Sequence, residues 1–442
     1  MPFHEDVEGG SAATQSGAGD DLLKNGQTGI SSESRWERFG MSRGVMALSV
    51  ARMSDALGNS ILIVLIPLYV AKTPDLLFHV PMPVLIGILI SSYGLINTFL
   101  QPFTGAMSDR LGRRKIMIQI GLALMALGTL AFIVAGRFAE LLGLRIMQGI
   151  GVAITVPASM ALLAALTRKE SRGGSMGVYT TLRLIGFSVG PLLGGFLQVH
   201  FGFHVSFIVG GAFLLLAMTL VQIWVRDVPV AKPASEVAKF KIVDRSLLTP
   251  GIVSAAVATF LMANAFSMVT TLENEFNARL NMNAFGFGLV FSMLMIGRLI
   301  FQLPLGKLSD LIGRKPLVII GLVLMAPATA LLGEAGSEYH LILLRLFQGL
   351  AAAAIAAPAF AVAGDLAQKG GEGRQMALLT MGFGLGIAIG PLLAGILSVV
   401  FFELPFLIGG LMSLAGAWIV YRYMPETMTG PRVLFKRTSH ST

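Results

Sequence analysis

Long apolar segments dominate this chain and constrain its fold more than any other feature. A helix that crosses a bilayer needs about 20 predominantly apolar residues, and twelve segments meet or approach that length. They cover residues 46–71, 84–106, 116–135, 139–166, 176–199, 204–225, 250–272, 285–306, 317–334, 339–365, 375–398 and 403–423. Charged residues make up only 13% of the chain, too few for a soluble protein of this size to cover its cores. The chain is therefore predicted to be an all-α membrane protein with twelve transmembrane helices.

The distribution of basic residues predicts the orientation of these helices. The chain carries 33 Lys and Arg residues and a net charge of +9. Of the basic residues, 25 lie in the tails and one alternate set of loops, while the opposite loops hold only Lys72, Arg137 and Arg279. Because basic loops stay on the cytoplasmic side, we expect a multi-pass protein of the inner or plasma membrane with both termini cytoplasmic. The positive charge then indicates topology and a lipid partner, and no nucleic-acid partner is expected.

Several function classes find no support in the sequence. There is no Cys, so disulfides, thiolate metal sites and cysteine nucleophiles are excluded. No phosphate-binding G-x-x-x-x-G-K-[ST] motif is present, which leaves ATP-driven pumping by this chain without support. The six His lie in tails or at the ends of the apolar segments and form no pattern for metal binding. We therefore expect neither an enzyme nor a bound metal or cofactor.

An internal repeat divides the chain into two halves. Residues 105–115 read GAMSDRLGRRK and residues 306–315 read GKLSDLIGRK; LRIMQG at 144–149 returns as LRLFQG at 344–349; GFSVGPLLGG at 186–195 returns as GIAIGPLLAG at 386–395. All three matches recur about 200 residues apart. A duplicated six-helix unit is typical of transporters with a substrate site at the midplane between two halves.

The repeat and the polar segments give the predicted domain organisation. Residues 1–44 form a disordered cytoplasmic tail, because they are rich in Gly and Ser and lack apolar runs. Two six-helix bundles follow over 45–225 and 250–424, joined by a cytoplasmic linker at 226–249 that is rich in Pro and basic residues. Residues 425–442 form a cytoplasmic C-terminal tail.

These motifs carry a resemblance to a known family. Over residues 45–425 the sequence resembles the major facilitator superfamily, and within it the twelve-span drug:proton antiporters. The most specific motif, G-x-x-x-D-R-x-G-R-R/K, matches at Gly105, Asp109, Arg110, Gly112, Arg113 and Arg114, and R-x-x-Q-G matches at Arg145, Gln148 and Gly149. The antiporter-type glycine motif matches at Gly186, Gly190, Pro191, Gly194 and Gly195. The resemblance implies the major facilitator fold, with two pseudo-symmetric six-helix bundles.

The loop motif after the second segment is predicted to be a conformational latch. Gly105 and Gly112 bracket a tight turn, and Asp109 is expected to bind near the start of the eleventh segment, at Arg374, when the cytoplasmic side is closed. The alternative is ordinary anchoring of basic residues at the membrane surface. The second copy, at Asp310, Gly313 and Arg314, has Leu311 in place of the middle Arg, so its latch should be weaker.

Asp55 and Arg145 are the predicted proton-coupling residues. An ionisable side chain inside a membrane segment is costly and by default functional. A buried carboxylate favours its protonated form when unpaired and its ionised form beside a guanidinium, so a pair that forms and breaks would bind and release a proton. Two alternatives stay open: a static ion pair that only locks two helices, and Arg52 as the partner of Asp55. No acid mirrors Asp55 in the second half, although Arg345 mirrors Arg145.

The remaining polar and large residues inside the segments are candidates for a substrate cavity. These are Asn59, Tyr93, Asn97, Gln101, Tyr179, Arg183, Asn264, Met268, Arg298, Gln302, Arg345, Phe360 and Phe383. Arg345 could instead brace helices. Glu273 and Glu275, at the end of the seventh segment, could attract cations, but carboxylates at a membrane interface are more often solvated.

Three functions remain. The first is a proton-coupled antiporter, acting as a monomer on the proton gradient, that exports small hydrophobic or cationic compounds as multidrug efflux proteins do. The second is a proton symporter or facilitator for a small polar metabolite. The third is a membrane sensor that transports nothing, which loss of the gating motifs would favour; here both copies are present.

Overall fold

The computed structural model describes residues 42–73, 80–167, 171–227, 248–366 and 372–428, with all their side chains except those of Asp109, Arg172, Glu372 and Arg374. Most of the predicted N-terminal tail, linker and C-terminal tail lies outside these ranges. Within them the chain is almost wholly helical. The helices are α1 Arg43–Val70, α2 Met82–Leu111, α3 Arg114–Ala131, α4 Phe138–Leu166, α5 and α6 within Arg172–Trp224, α7 Pro250–Ser267, α8 Ala284–Ile312, α9 Arg314–Ala330, α10 Glu338–Asp365, α11 Glu372–Leu397 and α12 Leu404–Tyr423.

Twelve of these helices are long enough to cross a membrane. The 53-residue helix Arg172–Trp224 breaks at Gly202, whose φ of 80° and ψ of −178° are not helical, and so forms two helices, α5 and α6. Ten of the described helices have the length and apolarity of membrane spans. The helix that Gly202 breaks is counted once among these ten and supplies two spans. The 17-residue helix α9 lies at the lower end of the spanning range, about 17–25 residues. The predicted all-α fold with twelve spanning helices is confirmed.

Short polar signals at the helix ends explain where several helices begin. Ser42 caps α1 by accepting a hydrogen bond from the backbone N–H of Val45, and Thr249 caps α7 in the same way. Such caps satisfy N–H groups that have no partner within the helix. The two halves therefore begin with equivalent caps, as expected for a duplicated unit.

The structure adds two elements that the apolar pattern did not predict. A short 3₁₀ helix, Met268–Thr271, continues α7, and a polar α-helix, Glu273–Leu280, follows it. Helices α2 and α8 also run five to six residues past their predicted ends, through the loop motifs. Hydropathy misses these extensions because their residues are polar.

The helices pack into two bundles that meet along four helices. In the first half α1 packs along α5 and α6, and in the second α7 packs against α11; the halves meet where α2 contacts α11 and α5 contacts α8. We call the side on which α1 begins and α12 ends the tail side, and the opposite side the far side. Large apolar side chains such as Trp418 and Ile223 are exposed on the outer surfaces, as expected of helices that face lipid.

Candidate functional site

The two halves are packed closely on the far side. If Gly87 of α2 carried a Cβ, that atom would lie 2.7 Å from the carbonyl oxygen of Pro391 in α11, which only glycine permits. Backbone contacts of this kind recur between the halves: Gly395 with Pro83, Gly195 with Ala284, and Gly288 with Pro191. These contacts close the far side.

Toward the tail side the halves separate. A Cβ built on Gly105 of α2 would meet only Pro157, at 3.6 Å, and one on Gly306 of α8 would meet only Ala357, at 3.8 Å. Both neighbours belong to the same half as the glycine, and no described atom of the opposite half lies within 4 Å. At these two glycines the described parts of the halves make no contact on the tail side, and we call the space between the halves on this side the cleft.

Asp55 lies inside the first half and forms an ion pair with Arg52, one turn earlier in α1. Both residues are buried, with exposures of 2% and 6%. Thr155 and Ser159 of α4 border the same narrow void, which has room for about one water molecule. The partner predicted for Asp55 was Arg145, and this is wrong for the conformation seen, because Arg52 holds the carboxylate.

Arg145 makes a different set of contacts. Its Nη1 donates to Oε1 of Gln148 at 3.0 Å, and Gln148 in turn donates to the hydroxyl of Thr129 in α3 at 2.9 Å. The guanidinium lies over the ring of Tyr93, 4.7 Å from its centroid, at a distance typical of cation–π contacts. Arg145 thus connects α4 to α2 and α3.

The second half repeats this network without an acid. Arg345 donates to Oε1 of Gln348 at 2.7 Å, and Gln348 donates to Thr329 at 2.9 Å. Arg345 also donates to the backbone carbonyl of Phe266 in α7 at 3.0 Å and is fully buried. It does not face the cleft, so the prediction that it lines a substrate cavity is wrong and its bracing role is the one seen.

The other cavity candidates divide into two groups. Asn59 donates to the hydroxyl of Tyr93 at 2.5 Å, and Gln101 donates to Asn97 at 3.0 Å; these four side chains are partly exposed. Asn264 and Met268, in contrast, are at most 1% exposed. They contact α12 at Met412 and Gly409, so the prediction that these two line the cavity is wrong.

Arg183 and Arg298 come from opposite halves. The guanidinium of Arg183 in α5 lies 5.3 Å from the ring centroid of Phe187, and that of Arg298 in α8 lies 5.6 Å from that of Phe383. Both are partly exposed, and each has a buried Nε without a hydrogen-bond partner.

In the first loop motif Gly112 ends α2 with φ of 61°, a left-handed conformation that favours glycine. Arg114 donates to the backbone carbonyl of Ala161 in α4 at 3.0 Å, while Arg110 and Arg113 are both exposed. The side chains of Asp109 and Arg374 lie outside the part of the chain that the structure describes, so the latch between them stays a prediction.

The second loop motif is tied within its own half. Arg314 forms an ion pair with Asp365 at the end of α10, and a longer one with Asp310 at 3.5 Å. Glu426 accepts hydrogen bonds from the backbone N–H groups of Arg314 and Lys315, at 3.0 and 3.2 Å. Asp365 and Glu426 were missed as partners, because sequence spacing does not reveal which loops meet on one side of a membrane.

Most of the glycine motif packs within the first half. Gly186, Gly190 and Gly194 face α1 at Met53, Ser60 and Ile61. The hydroxyl of Ser60 also donates to the carbonyl of Gly186, at 3.3 Å. Only Gly195 and the backbone of Pro191 touch the other half, at α8. The motif therefore packs α5 mainly against α1 and contributes to the contact between the halves only at its end.

The family model of the Major Facilitator Superfamily matches residues 48–278 and 253–438. The chain belongs to the Major Facilitator Superfamily. It is 27% identical over 311 residues to the multi-drug resistance efflux pump PmrA of Streptococcus pneumoniae, covering 69% of this chain and 77% of that protein.

Two solved structures share its fold. A bacterial homologue of the human lysosomal transporter Spinster, inward-facing and occupied, has a TM-score of 0.70 at 14% identity, covering 86% and 96% of the two chains. A D-xylose–proton symporter has a TM-score of 0.69 at 18% identity, covering 87% and 98%.

One further buried acid lies on the far side of this major facilitator protein. Glu273 begins the short helix after α7, is 0% exposed, and neither of its carboxylate oxygens has a hydrogen-bond partner among the described residues. Burial raises the pKa of the Glu273 carboxyl well above its usual value, and the nearby charge of Glu275 adds to this. The neighbouring Arg279 instead binds Glu403 at 2.7 Å and lowers the pKa of that carboxyl. The expectation that Glu273 is solvated is wrong.

Proposed function

We propose that this major facilitator chain is a proton-coupled antiporter that exports small, largely hydrophobic compounds by alternating access. The observation that carries the proposal is the ion pair of Arg52 and Asp55. It is a buried, titratable pair beside the polar network of one half, and the repeated network of the other half contains no acid among its described residues. A buried ion pair that breaks when the bundles move makes protonation depend on conformation, which is what coupling requires.

The cleft supplies the transport route. Because basic loops mark the cytoplasmic side, the tail side is proposed to be cytoplasmic and the cleft to be the inward-open state. The far-side seam of Gly87, Gly195, Gly288 and Gly395 then separates the cleft from the outside. In alternating access one bundle rocks against the other around a fixed site, so this seam opens as the tail side closes.

The ion pair gives the coupling step. In the inward-open state Arg52 holds the carboxylate of Asp55 by a charge-assisted hydrogen bond. When the helices move and the bond breaks, a carboxylate in a low-dielectric interior becomes unfavourable, and Asp55 takes up a proton. The void beside the pair has room for about one water molecule, which is the proposed immediate donor of that proton.

Export is favoured over import by the relatives. The pump PmrA, named for multidrug resistance and efflux, shares 27% identity over most of this chain, whereas the solved symporter of similar fold shares 18%.

The experiment is transport in proteoliposomes with an imposed pH gradient and a panel of apolar compounds that includes lipophilic cations. We expect counterflow of compound and protons with the wild-type chain. Asp55→Asn should abolish proton-driven accumulation but retain exchange of compound without a gradient. Glu334→Gln removes an exposed far-side carboxylate and should behave as wild type. Undiminished proton-driven transport by Asp55→Asn would refute the coupling, and the absence of proton-linked counterflow across the panel would refute the antiporter.

A further inference from the structure

The packing of α5 against α8 determines what forms the inner end of the cleft. The two helices run antiparallel, and their facing residues follow a regular register: Gly195 meets Ala284, and Pro191 meets Gly288. Further toward the tail side Leu184 packs in one cluster with Phe291 and Met295. Arg183 directly precedes Leu184 on the tail side of α5, and Arg298 lies about one turn beyond Met295 in α8. They therefore lie where the closed seam ends and the cleft begins.

These two arginines lack the counter-charges that cations inside a membrane protein normally have. Among the described residues neither guanidinium forms an ion pair or donates a hydrogen bond, and the Nε atom of each is buried without a partner. The nearest acid in range of Arg183 is Asp55, which is already bound by Arg52. Arg183 is also within electrostatic range of Arg298 and Arg52. Arg183 thus has two other cations and a single, already bound carboxylate within its electrostatic range.

Such an arrangement is unfavourable unless something neutralises it. Charged side chains inside a membrane protein usually pair with each other or mark the path of a substrate, and an unpaired buried charge is destabilising. Arginine presents a planar set of donors that fits a carboxylate, sulfonate or phosphate. A negative group placed between the halves would supply the counter-charge that both guanidiniums lack.

We propose that Arg183 and Arg298 form an anion-binding site at the inner end of the cleft, and that the substrates are amphipathic organic anions. The negative group binds between the two guanidiniums, and Phe187 and Phe383, which lie against them, contact the apolar body. This inference deepens the proposed function. The sequence favoured hydrophobic or cationic compounds as substrates, and the two arginines replace the cationic class with an anionic one. Transport of these anions rests on the proposed function, whereas their binding does not.

The site also links substrate to conformation. One arginine belongs to each half, so their like charges repel across the cleft and a bound anion removes that repulsion. Closure of the tail side brings the halves together and is therefore favoured when the anion is present. A cation of the same shape would add to the repulsion.

The test compares two probes with the same aromatic body and opposite charge, naphthalene sulfonate and naphthyl trimethylammonium. Their binding to the purified full chain in discs of uncharged lipid is measured by calorimetry. We expect the sulfonate to bind the wild type. Arg183→Gln and Arg298→Gln should each weaken it by about tenfold or more, because charge-assisted hydrogen bonds are lost. Binding of the cation should not weaken.

Two further sets of variants make the result decisive. Arg183→Lys and Arg298→Lys keep the charge but lose the planar donors, so they should retain part of the affinity for the sulfonate. Arg422→Gln makes the same charge change at the exposed end of α12 and should leave binding unchanged. Unchanged sulfonate binding in both Gln variants would overturn the proposal. An equal loss of binding of both probes in the Gln and Lys variants would also overturn it, because the arginines would then only stabilise the fold.

The same proteins in proteoliposomes separate this inference from the proposed function. If the sulfonate binds through the two arginines but no proton-linked export of either probe occurs, the anion site stands and the antiporter fails. If the cation is exported against protons and the sulfonate shows no arginine-dependent binding, the antiporter stands and the anion site is overturned.

Discussion

Arg345 donates a hydrogen bond to the backbone carbonyl of Phe266 at 3.0 Å and is fully buried. The bond ties α10 to the last turn of α7, where the helix gives way to the 3₁₀ segment. Arg345 also holds Gln348, which holds Thr329 of α9. One guanidinium therefore connects three helices of the second half.

Arg345→Met should destabilise the protein without changing its substrate preference. The substitution leaves the carbonyl of Phe266 and the amide oxygen of Gln348 without this donor, and each orphaned buried group costs about 1–3 kcal/mol. Thermal unfolding in detergent should show a lower midpoint than for wild type or for Arg422→Met. If Arg345→Met unfolds at the wild-type midpoint, the bracing role is refuted.

Gly288→Ala should shift the protein away from the far-side-closed state. A Cβ at this position would overlap the carbonyl of Pro191, so the seam could not close without moving a backbone. The chain has no Cys, so spin labels attached through the exposed-site substitutions Lys72→Cys and Glu334→Cys would report the far-side distance. We expect longer distances in Gly288→Ala. Gly136→Ala, with nothing within 4 Å of its Cβ, should match wild type.

Much of the fold could be predicted from the sequence, because bilayer thickness fixes helix length and lipid admits few alternatives to helices. The repeat also identified Arg145 and Gln148 as equivalent to Arg345 and Gln348, and the structure gives the two pairs equivalent hydrogen bonds. Hydropathy alone also showed the division between the apolar segments 176–199 and 204–225. In the structure Gly202, with its positive φ, breaks the 53-residue helix at this division.

The partners of charged residues could not be predicted in the same way. Asp55 binds Arg52 on its own helix because that guanidinium is one turn away, whereas reaching Arg145 depends on how α1 and α4 are rotated. Glu273 is buried because the helix that it begins lies between the bundles, and nothing in a single sequence reports that packing. Arg183 and Arg298 were recognised as candidates, but their position opposite each other follows only from the register of α5 and α8.

Glu273 should make the stability of the protein fall as the pH rises above 4.5, the usual pKa of a glutamate carboxyl. Its pKa in the folded protein is raised by burial, so between the unfolded and the folded pKa the folded state binds the proton more tightly. Raising the pH through this window removes that advantage. Glu273→Gln should flatten the dependence of stability on pH and stabilise the protein at neutral pH. The measurement is thermal unfolding from about pH 5 to about pH 8, the range in which a carboxyl group with a raised pKa changes stability.

Two comparisons support the assignment to Glu273. Glu334→Gln, an exposed far-side change, should keep the wild-type pH dependence. Arg279 lowers the pKa of Glu403, so this pair has the opposite effect on the pH dependence of stability. It stabilises the protein at pH values above the usual carboxyl pKa, and this stabilisation is lost as the pH falls below that pKa. A wild-type pH dependence in Glu273→Gln would show that this carboxyl is not the titrating group.

The two loop motifs should respond differently to loss of their aspartates. Asp310 binds Arg314, which also binds Asp365 in the same half, so Asp310→Asn leaves Arg314 with a partner and should change transport little. Asp109 is predicted to bind across the cleft only when the tail side closes. Asp109→Asn should therefore slow transport in proteoliposomes, at least several-fold, while its unfolding midpoint stays close to that of wild type.

The control for this comparison is Asp365→Asn. It removes the closer of the two carboxylate partners of Arg314 and should lower the unfolding midpoint more than Asp310→Asn does, because the tie between α9 and α10 is broken. If Asp310→Asn slowed transport as much as Asp109→Asn, the two copies would act alike and the distinction between a tie within one half and a latch between halves would be lost.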